Sequence, residues 1–352
     1  MSRTQLNTLD NPVDTAKNKS NEALVALLQD NRTLRIGMLN NPLSGGNRKR
    51  LLQIRKIAAN YPQVIQREVQ TPAEVALTLS DFARQEIRIL VVNGGDGTVQ
   101  AVLTAIFNDQ AFEKMPLIAV LRSAGTTSMI AGDIGLKGSR QKALQRLFRW
   151  TQTKDSPATV LRRPVLRVQV PLEKRPVYGM FFGAAGIYQA THFYHQKIHT
   201  KGLRGEVGPG ITLARFILAA AFKDRKALSP VSVTTRLNHN SPEQHHFFAV
   251  FVTSLERLFL GLRPYWGTEP GPLHYTAIGS RPHRFVRLLP SLMRGRQNPQ
   301  IKPANGYISH NVDEIQLTLN GGFSLDGQLY HADSQQGPVV VAYGGHASFL
   351  QL

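Results

Sequence analysis

Residues 89–98 constrain the fold of this chain more than any other stretch. Ile89, Leu90, Val91 and Val92 form an apolar, β-branched run, the composition of a buried strand. Gly94, Gly95 and Gly97 then surround a single carboxylate, Asp96, and Thr98 closes the segment. Val99, Val102, Leu103, Ile106 and Phe107 follow at helical spacing, so a helix starts at once. A strand, a glycine turn and a helix in succession aim backbone N–H groups and the positive end of a helix at one point, with no side chain in the way. That geometry takes a phosphate. A tight βα turn needing only positive φ is the plainer reading, but three glycines around an Asp and a Thr exceed what it requires.

The spacing fits neither common nucleotide loop. No Lys-Ser/Thr pair follows the glycines, as a Walker loop demands, and the pattern is not G-x-G-x-x-G. Gly94-Gly95-Asp96-Gly97-Thr98 instead resembles the GGDGT signature shared by diacylglycerol kinases, sphingosine kinases and the related NAD kinases. A strand predicted at 34–39 runs into a second glycine turn, Asn40 to Asn47, followed by Arg48, Lys49 and Arg50. Cations oppose the dipole at a helix start unless an anion lies nearby. Asn41-Pro42-Leu43-Ser44-Gly45 resembles the NPxSG turn that opens lipid-kinase catalytic domains. A third loop follows a strand predicted at 116–121; its Gly125-Thr126 is similar to the family's nucleotide-touching GTxN loop, with Ser128 where the family has Asn. Near the end, Asp326-Gly327 resembles the φ-DGE segment of lipid kinases, with Gln328 in place of Glu. Alone, an Asp-Gly pair suits a hairpin turn. Where the family has a metal-supporting D-G-x-L-D run, this chain has Glu269-Pro270-Gly271-Pro272-Leu273-His274, so that metal site is not expected.

The chain has 352 residues, enough for two domains with their own cores. Strands at 34–39, 64–69, 89–92 and 116–121 alternate with helices, among them one at 72–85 with Thr71 as cap, Pro72 first and Glu74 third. This predicts an α/β N-terminal domain with a parallel sheet whose carboxyl-end loops converge on one ligand. From 159 onward strands dominate, at 160–170, 177–182, 231–237, 247–253, 275–278 and 315–319, with helices at 187–198, 211–222 and 285–293. A β-rich, sandwich-like C-terminal domain is expected, with the active site in the cleft between the two. The expected boundaries are a flexible segment at 1–30 (with a short helix at 21–28), the α/β domain at 31–157, the β-rich domain at 158–338 and a tail at 339–352 that returns to the first domain. The helix 137–150 carries Arg140, Lys142, Arg146 and Arg149 opposite a core stripe, read as a solvated face, with a membrane-facing role as the lesser alternative.

No cysteine is present, which excludes disulfides and thiol chemistry. The first residues lack an apolar signal region and no stretch approaches the roughly 20 apolar residues of a spanning helix, so a cytoplasmic protein is expected. Lys and Arg total 42 against 23 Asp and Glu, a formal charge of +19. Such a field draws phosphate-bearing partners. Residues 281–302 interleave arginines with apolar side chains, a pattern that either lies on an anionic bilayer or packs on the second domain. The eleven histidines show no metal spacing, and no aromatic-basic platform of the usual nucleic-acid modules is evident.

The resemblance covers most of 34–345 and implies an ATP-dependent lipid kinase, with a diacylglycerol-type acceptor and Mg²⁺ as cofactor. It implies that Asn41, Ser44, Gly45, Gly94, Gly95, Gly97, Thr98, Gly125, Thr126 and Ser128 hold the nucleotide. Asp326 is expected as the base and Asp96 as a second catalytic acid and Mg²⁺ contact, although the reverse assignment stays open. Arg48, Lys49 or Arg122 would neutralise phosphate charge. The expected partners are a lipid, an anionic membrane surface touched peripherally and, as an open point, a second copy of the chain; nucleic acid is not expected. The changes at Ser128, Gln328 and 269–274 keep a second reading open, a nucleotide-binding but catalytically silent regulator of lipid metabolism. An NAD kinase ranks third.

Overall fold

The computed structural model describes residues 34–44, 47, 51–122, 128–154, 157–201 and 230–352. The expected helices at 21–28 and 211–222, together with Gly45, Arg48, Lys49, Gly125 and Thr126, lie outside them.

The first half alternates strands and helices. In chain order these are β1 (Ile36–Asn40), α1 (Leu51–Ala59), β2 (Val64–Glu68), α2 (Pro72–Arg84), β3 (Ile89–Asn93), α3 (Asp96–Asp109), β4 (Leu117–Val120), α4 (Met129–Ile134) and α5 (Arg140–Thr153). β1 pairs in parallel with β2 and β3, and β3 with β4, which gives the order 2-1-3-4. β1, β3 and β4 are buried along their whole length, as central parallel strands covered on both faces must be. One layer packs α2 and α3 side chains such as Leu79, Phe82, Val102 and Ile106 on the sheet; the other packs Ile54, Leu144, Phe148 and Trp150. α2 begins as its sequence predicts. Thr71 Oγ1 accepts from Glu74 N at 3.2 Å, and Glu74 reaches back to Gln70 N at 2.6 Å, a reciprocal cap.

The second half is antiparallel. It contains β5 (Thr159–Gln169), β6 (Val177–Gly179), β7 (Phe181–Ala185), α6 (Gly186–Lys201), β8 (Val231–Leu237), β9 (Glu243–Thr253), β10 (Leu273–Gly279), α7 (Phe285–Met293), β11 (Tyr307–Val312), β12 (Glu314–Leu319), β13 (Gly321–Leu325), β14 (Gln328–Ala332) and β15 (Val339–Gln351). Inward side chains of β5, β7, β9, β10, β12 and β13 share one core, with Phe182 stacked on Phe323 and Phe323 on Tyr330.

The structure departs from the sequence expectation at three places. The strand expected at 177–182 is broken at Met180, because its N–H goes to Asp326 and its carbonyl to Thr253 and Ser254 rather than to a ladder. β11, β13 and β14 were not expected, since His, Asn, Ser, Gly and Gln dilute their alternation. The segment expected only as a returning tail at 339–352 is one long strand, running to Gln351 through Gly344 and Gly345. The glycines look like a turn in sequence. In the structure they form a bulge between Tyr343 and His346, where a Cβ on Gly344 would come within 2.8 Å of Arg167 and Gly345 has φ +110°.

β15 joins the halves. It runs antiparallel to β5 from Val340↔Gln169 to Gln351↔Thr159. Its first residues also pair with β12, and Phe349 pairs in parallel with Ile118 of β4. One continuous sheet thereby carries the parallel strands at one end and β7, β13 and β14 at the other.

Candidate active site

The carboxyl ends of β1, β3 and β4 are tied together by amides. Asn93 Nδ2 donates to Asn40 Oδ1 at 2.8 Å, and Asn47 Nδ2 donates to the carbonyls of Asn41 and Asn93 at 2.7 and 2.9 Å. Asn41 Nδ2 reaches Thr98 Oγ1 at 2.9 Å and so couples the first turn to the glycine turn. The Arg140 guanidinium closes the set from below: it donates to Asn47 Oδ1 and, at 3.0 Å, to the Arg122 carbonyl. Arg140 is buried, so the reading of its helix as wholly solvated does not hold at this position. Its place at the first turn of α5, just after the Ser139 cap, turns it toward the loops rather than outward.

The glycine turn has the expected form. Gly95 caps α3 with extended backbone, and Thr98 N and Val99 N both turn back to the Gly95 carbonyl at 2.9 and 3.2 Å. The N–H groups of Gly95, Asp96 and Gly97 therefore precede the intrahelical ladder. A Cβ on Gly94 would collide with the Thr98 side chain, and one on Gly95 would meet Ser44 Oγ at 3.5 Å. Close backbone approach, not positive φ, is what these glycines provide.

Asp96 opens α3. Its carboxylate accepts from Ser128 Oγ at 2.6 Å and from Met129 N at 2.9 Å. Burial raises its pKa to about 6, partly offset by these bonds and one from the Ile130 amide. Ser128 is thus engaged twice, donating to Asp96 and capping α4 by accepting from Ala131 N.

Asp326 lies 230 residues further along the chain, in the turn between β13 and β14, at φ +48°. It is only 3% exposed. Met180 N and Phe181 N donate to its two carboxylate oxygens at 3.0 and 2.9 Å, and its own N–H returns to the Phe181 carbonyl. Burial first, and then the charge of Asp96, push its pKa well above the usual carboxylate range. The two acids predicted from separate motifs are therefore close enough across the junction of the two halves for the charge of one to act on the other. Gln328 lies beside them, its amide against the space a Cβ on Gly97 would fill.

Two supports were invisible in the sequence. The backbone of Met180 and Phe181 supplies the donors that hold Asp326. His195 of α6 lies 3.1 Å from the Gly327 carbonyl, although no spacing linked it to that turn. Glu269, at the position of the family's metal-supporting run, is bonded to His310 and Asn311. Among the described residues no group of three His, Asp or Glu side chains converges.

Mg²⁺ is commonly held by one or two carboxylates together with substrate phosphates and water. Asp96 and Asp326 supply that number, and their mutual repulsion is what a divalent cation would relieve, so the residues fit the ion.

Residues 35–159 match the profile of the diacylglycerol kinase catalytic domain. This part of the chain is similar to the catalytic domain of that kinase family. Among solved structures, a candidate diacylglycerol kinase from Bacillus anthracis strain Sterne is similar over 90% of this chain and 96% of its own, with 14% identity and a TM-score of 0.61. A diacylglycerol kinase structure from the same organism covers the same shares with 13% identity and a TM-score of 0.55. At these identities the likeness is one of fold. Comparison with curated proteins found no match.

Proposed function

We propose that the protein is an ATP-dependent lipid kinase that transfers the γ-phosphate to a lipid hydroxyl, with a diacylglycerol-type acceptor. The observation that carries this reading is that Asp96, in the glycine turn, and Asp326, in the β13–β14 turn, are brought within electrostatic reach of one another. Phosphoryl transfer needs anchored phosphates, charge neutralisation and a proton acceptor, and little covalent chemistry from the protein. The amides of Gly95 and Gly97, with Thr98, Asn41 and Ser44, offer the first. Asp96, the more accessible acid, would hold Mg²⁺ with help from Asp326, and the ion would spread the charge that develops on the phosphates. Asp326 accepts the proton of the acceptor hydroxyl; a buried carboxylate with a raised pKa is a stronger base once ionised. The domain expectation is kept in the same spirit, with 31–157 presenting the nucleotide, 158–338 the lipid, and the cleft between them the chemistry.

The test is transfer of labelled γ-phosphate from Mg-ATP into a total lipid extract, with Asp326→Asn as control. A labelled lipid that disappears in the variant supports the kinase and identifies its acceptor. Gln328 favours a second reading, a nucleotide-binding regulator without turnover, because a neutral amide stands where the resembling kinases have an acid. ATP binding without any labelled lipid would favour it.

A further inference from the structure

We propose that α7 and the recess at its start form the face by which this protein docks on an anionic phospholipid membrane. Residues 281–302 contain Arg281, Arg284, Arg287, Arg294, Arg296 and Lys302 and no acidic residue. α7 buries Leu288 and Leu292 against Ile301 and Tyr307, which fixes the way the helix faces. Its outer side presents Arg284, Arg287, Pro290 and Arg294, all exposed, around a Val286 that is 57% exposed. Cations surrounding an exposed aliphatic side chain suit a bilayer surface, where the charges meet lipid phosphates and the apolar group enters the headgroup boundary. Nucleic acid is the weaker fit, because this outer side carries no aromatic ring on which a base could stack. Phe285 instead packs edge-on to Phe248 at 6.1 Å.

Beside the start of α7 lies a recess of about 570 Å³, whose lining includes His245, His246, Ser280, Arg281 and His283. Glu243 is the carboxylate in that lining, and it pairs with His245 at 3.1 Å. The walls are fixed by backbone bonds, Ser280 N to the His246 carbonyl at 2.8 Å and His283 N to that of Asn305 at 3.0 Å. A polar recess flanked by cations is the shape a phospholipid headgroup would enter.

This face is remote from the acid pair. Leu325, next to Asp326, pairs with Phe182, Phe182 with Val252, and Val252 with Tyr275. The recess lies at Phe247 and Gly279, five residues further along β9, roughly 17 Å at strand spacing. Changes on α7 therefore leave the phosphoryl-transfer groups untouched.

The proposal draws on the lipid-kinase reading only for its biological sense, and its test needs no turnover. The full chain is sedimented with phosphatidylcholine vesicles, with and without phosphatidylserine. Binding is expected only when phosphatidylserine is present. The triple variant Arg284→Gln, Arg287→Gln, Arg294→Gln is expected to lose about a hundredfold in vesicle affinity, roughly fivefold per arginine. It should melt as the parent does. A second triple, Lys137→Gln, Lys142→Gln, Arg149→Gln, removes equal charge from other exposed positions and is expected to stay within about twofold of the parent. Val286→Ser should weaken binding without any change in charge. Equal losses in both triples would reduce the effect to net charge, and undiminished binding in the α7 triple would remove the site. Loss of duplex DNA binding with vesicle binding intact would reassign the face to nucleic acid. Transfer to detergent-dispersed lipid is assayed separately: its absence in the parent overturns the kinase reading and leaves docking standing, whereas vesicle results alone decide the docking face.

Discussion

Asp326 keeps its position because two backbone donors and one missing side chain leave it nowhere else to go. A Cβ on Gly179 would fall on its Oδ2 and on Leu325, so Gly179→Ala is expected to displace the carboxylate. The expected cost is about 1–3 kcal/mol in a melt, together with a fall in transfer that a purely thermal effect would not produce. Asp326→Asn is expected to lower transfer by about 10²–10⁴-fold with the fold retained, the usual range for loss of a general base; full activity would remove that role. For Asp96 the sign of the pH effect follows from its raised pKa. An acid at about 6 in the folded state, against a usual 3.8, stabilises the fold relative to its ionised form below about pH 4. That contribution is lost as pH rises through about 6. Transfer should run the other way, falling at low pH as Asp96 takes up its proton and loses its hold on a cation. Ser128→Ala removes a bond that favours the ionised form, so the acid limb of the pH–rate profile should move to higher pH. The acids themselves were legible in the sequence, because a glycine turn after a strand and an Asp-Gly pair are local signals. The amides of Met180 and Phe181 and the ring of His195 were not, because backbone donors and long-range contacts leave no mark on residue type.

Among the elements, α5 shows why a charged stripe is an incomplete guide. Lys142 and Arg149 face water as their spacing suggests, whereas Arg140 is buried beneath the loops at the strand ends and bonded to Asn47 and the Arg122 carbonyl. Arg140→Gln is expected to cost about 1.5–3 kcal/mol, the range for a hydrogen bond to a charged group, and to raise KM for nucleotide more than it lowers kcat. Arg140→Lys should not rescue it, since one ammonium cannot span two acceptors held in a fork. The regular elements were otherwise well marked: the strand-helix alternation up to Thr153 and the cap of α2 follow from periodicity and Thr71-Pro72 alone. Strands carrying His, Asn and Gln, such as β11 and β14, were hidden because pairing, not composition, makes them strands.

At the level of the whole molecule, α3 is fastened to the β-rich half along its length. Gln100 Nε2 donates to the Tyr330 hydroxyl at 2.7 Å, Thr104 Oγ1 exchanges bonds with the backbone of Tyr178, Asn108 reaches the Pro176 carbonyl, and Asp109 pairs with Arg175. The helix that bears Asp96 is thus held in register with the turn that bears Asp326. A double-mutant cycle on Gln100→Ala and Tyr330→Phe should return a coupling near 1 kcal/mol in urea melts. Additive losses would mean the bond does not join the halves.

β15 has a consequence for how the chain comes off the ribosome. It is the last of the described strands to be made, yet it lies between β4 and β12 and covers the length of β5. Until it emerges, β4 presents a bare, fully apolar edge and β5 has only the short β6 beside it. Nascent chains commonly fold their first domain while later ones are still being synthesised. Here the α/β half must wait for residues more than two hundred positions downstream. The interval of exposed edge favours pairing between newly made chains, and truncation just before Phe349 is expected to leave both acids in place yet β4 uncovered.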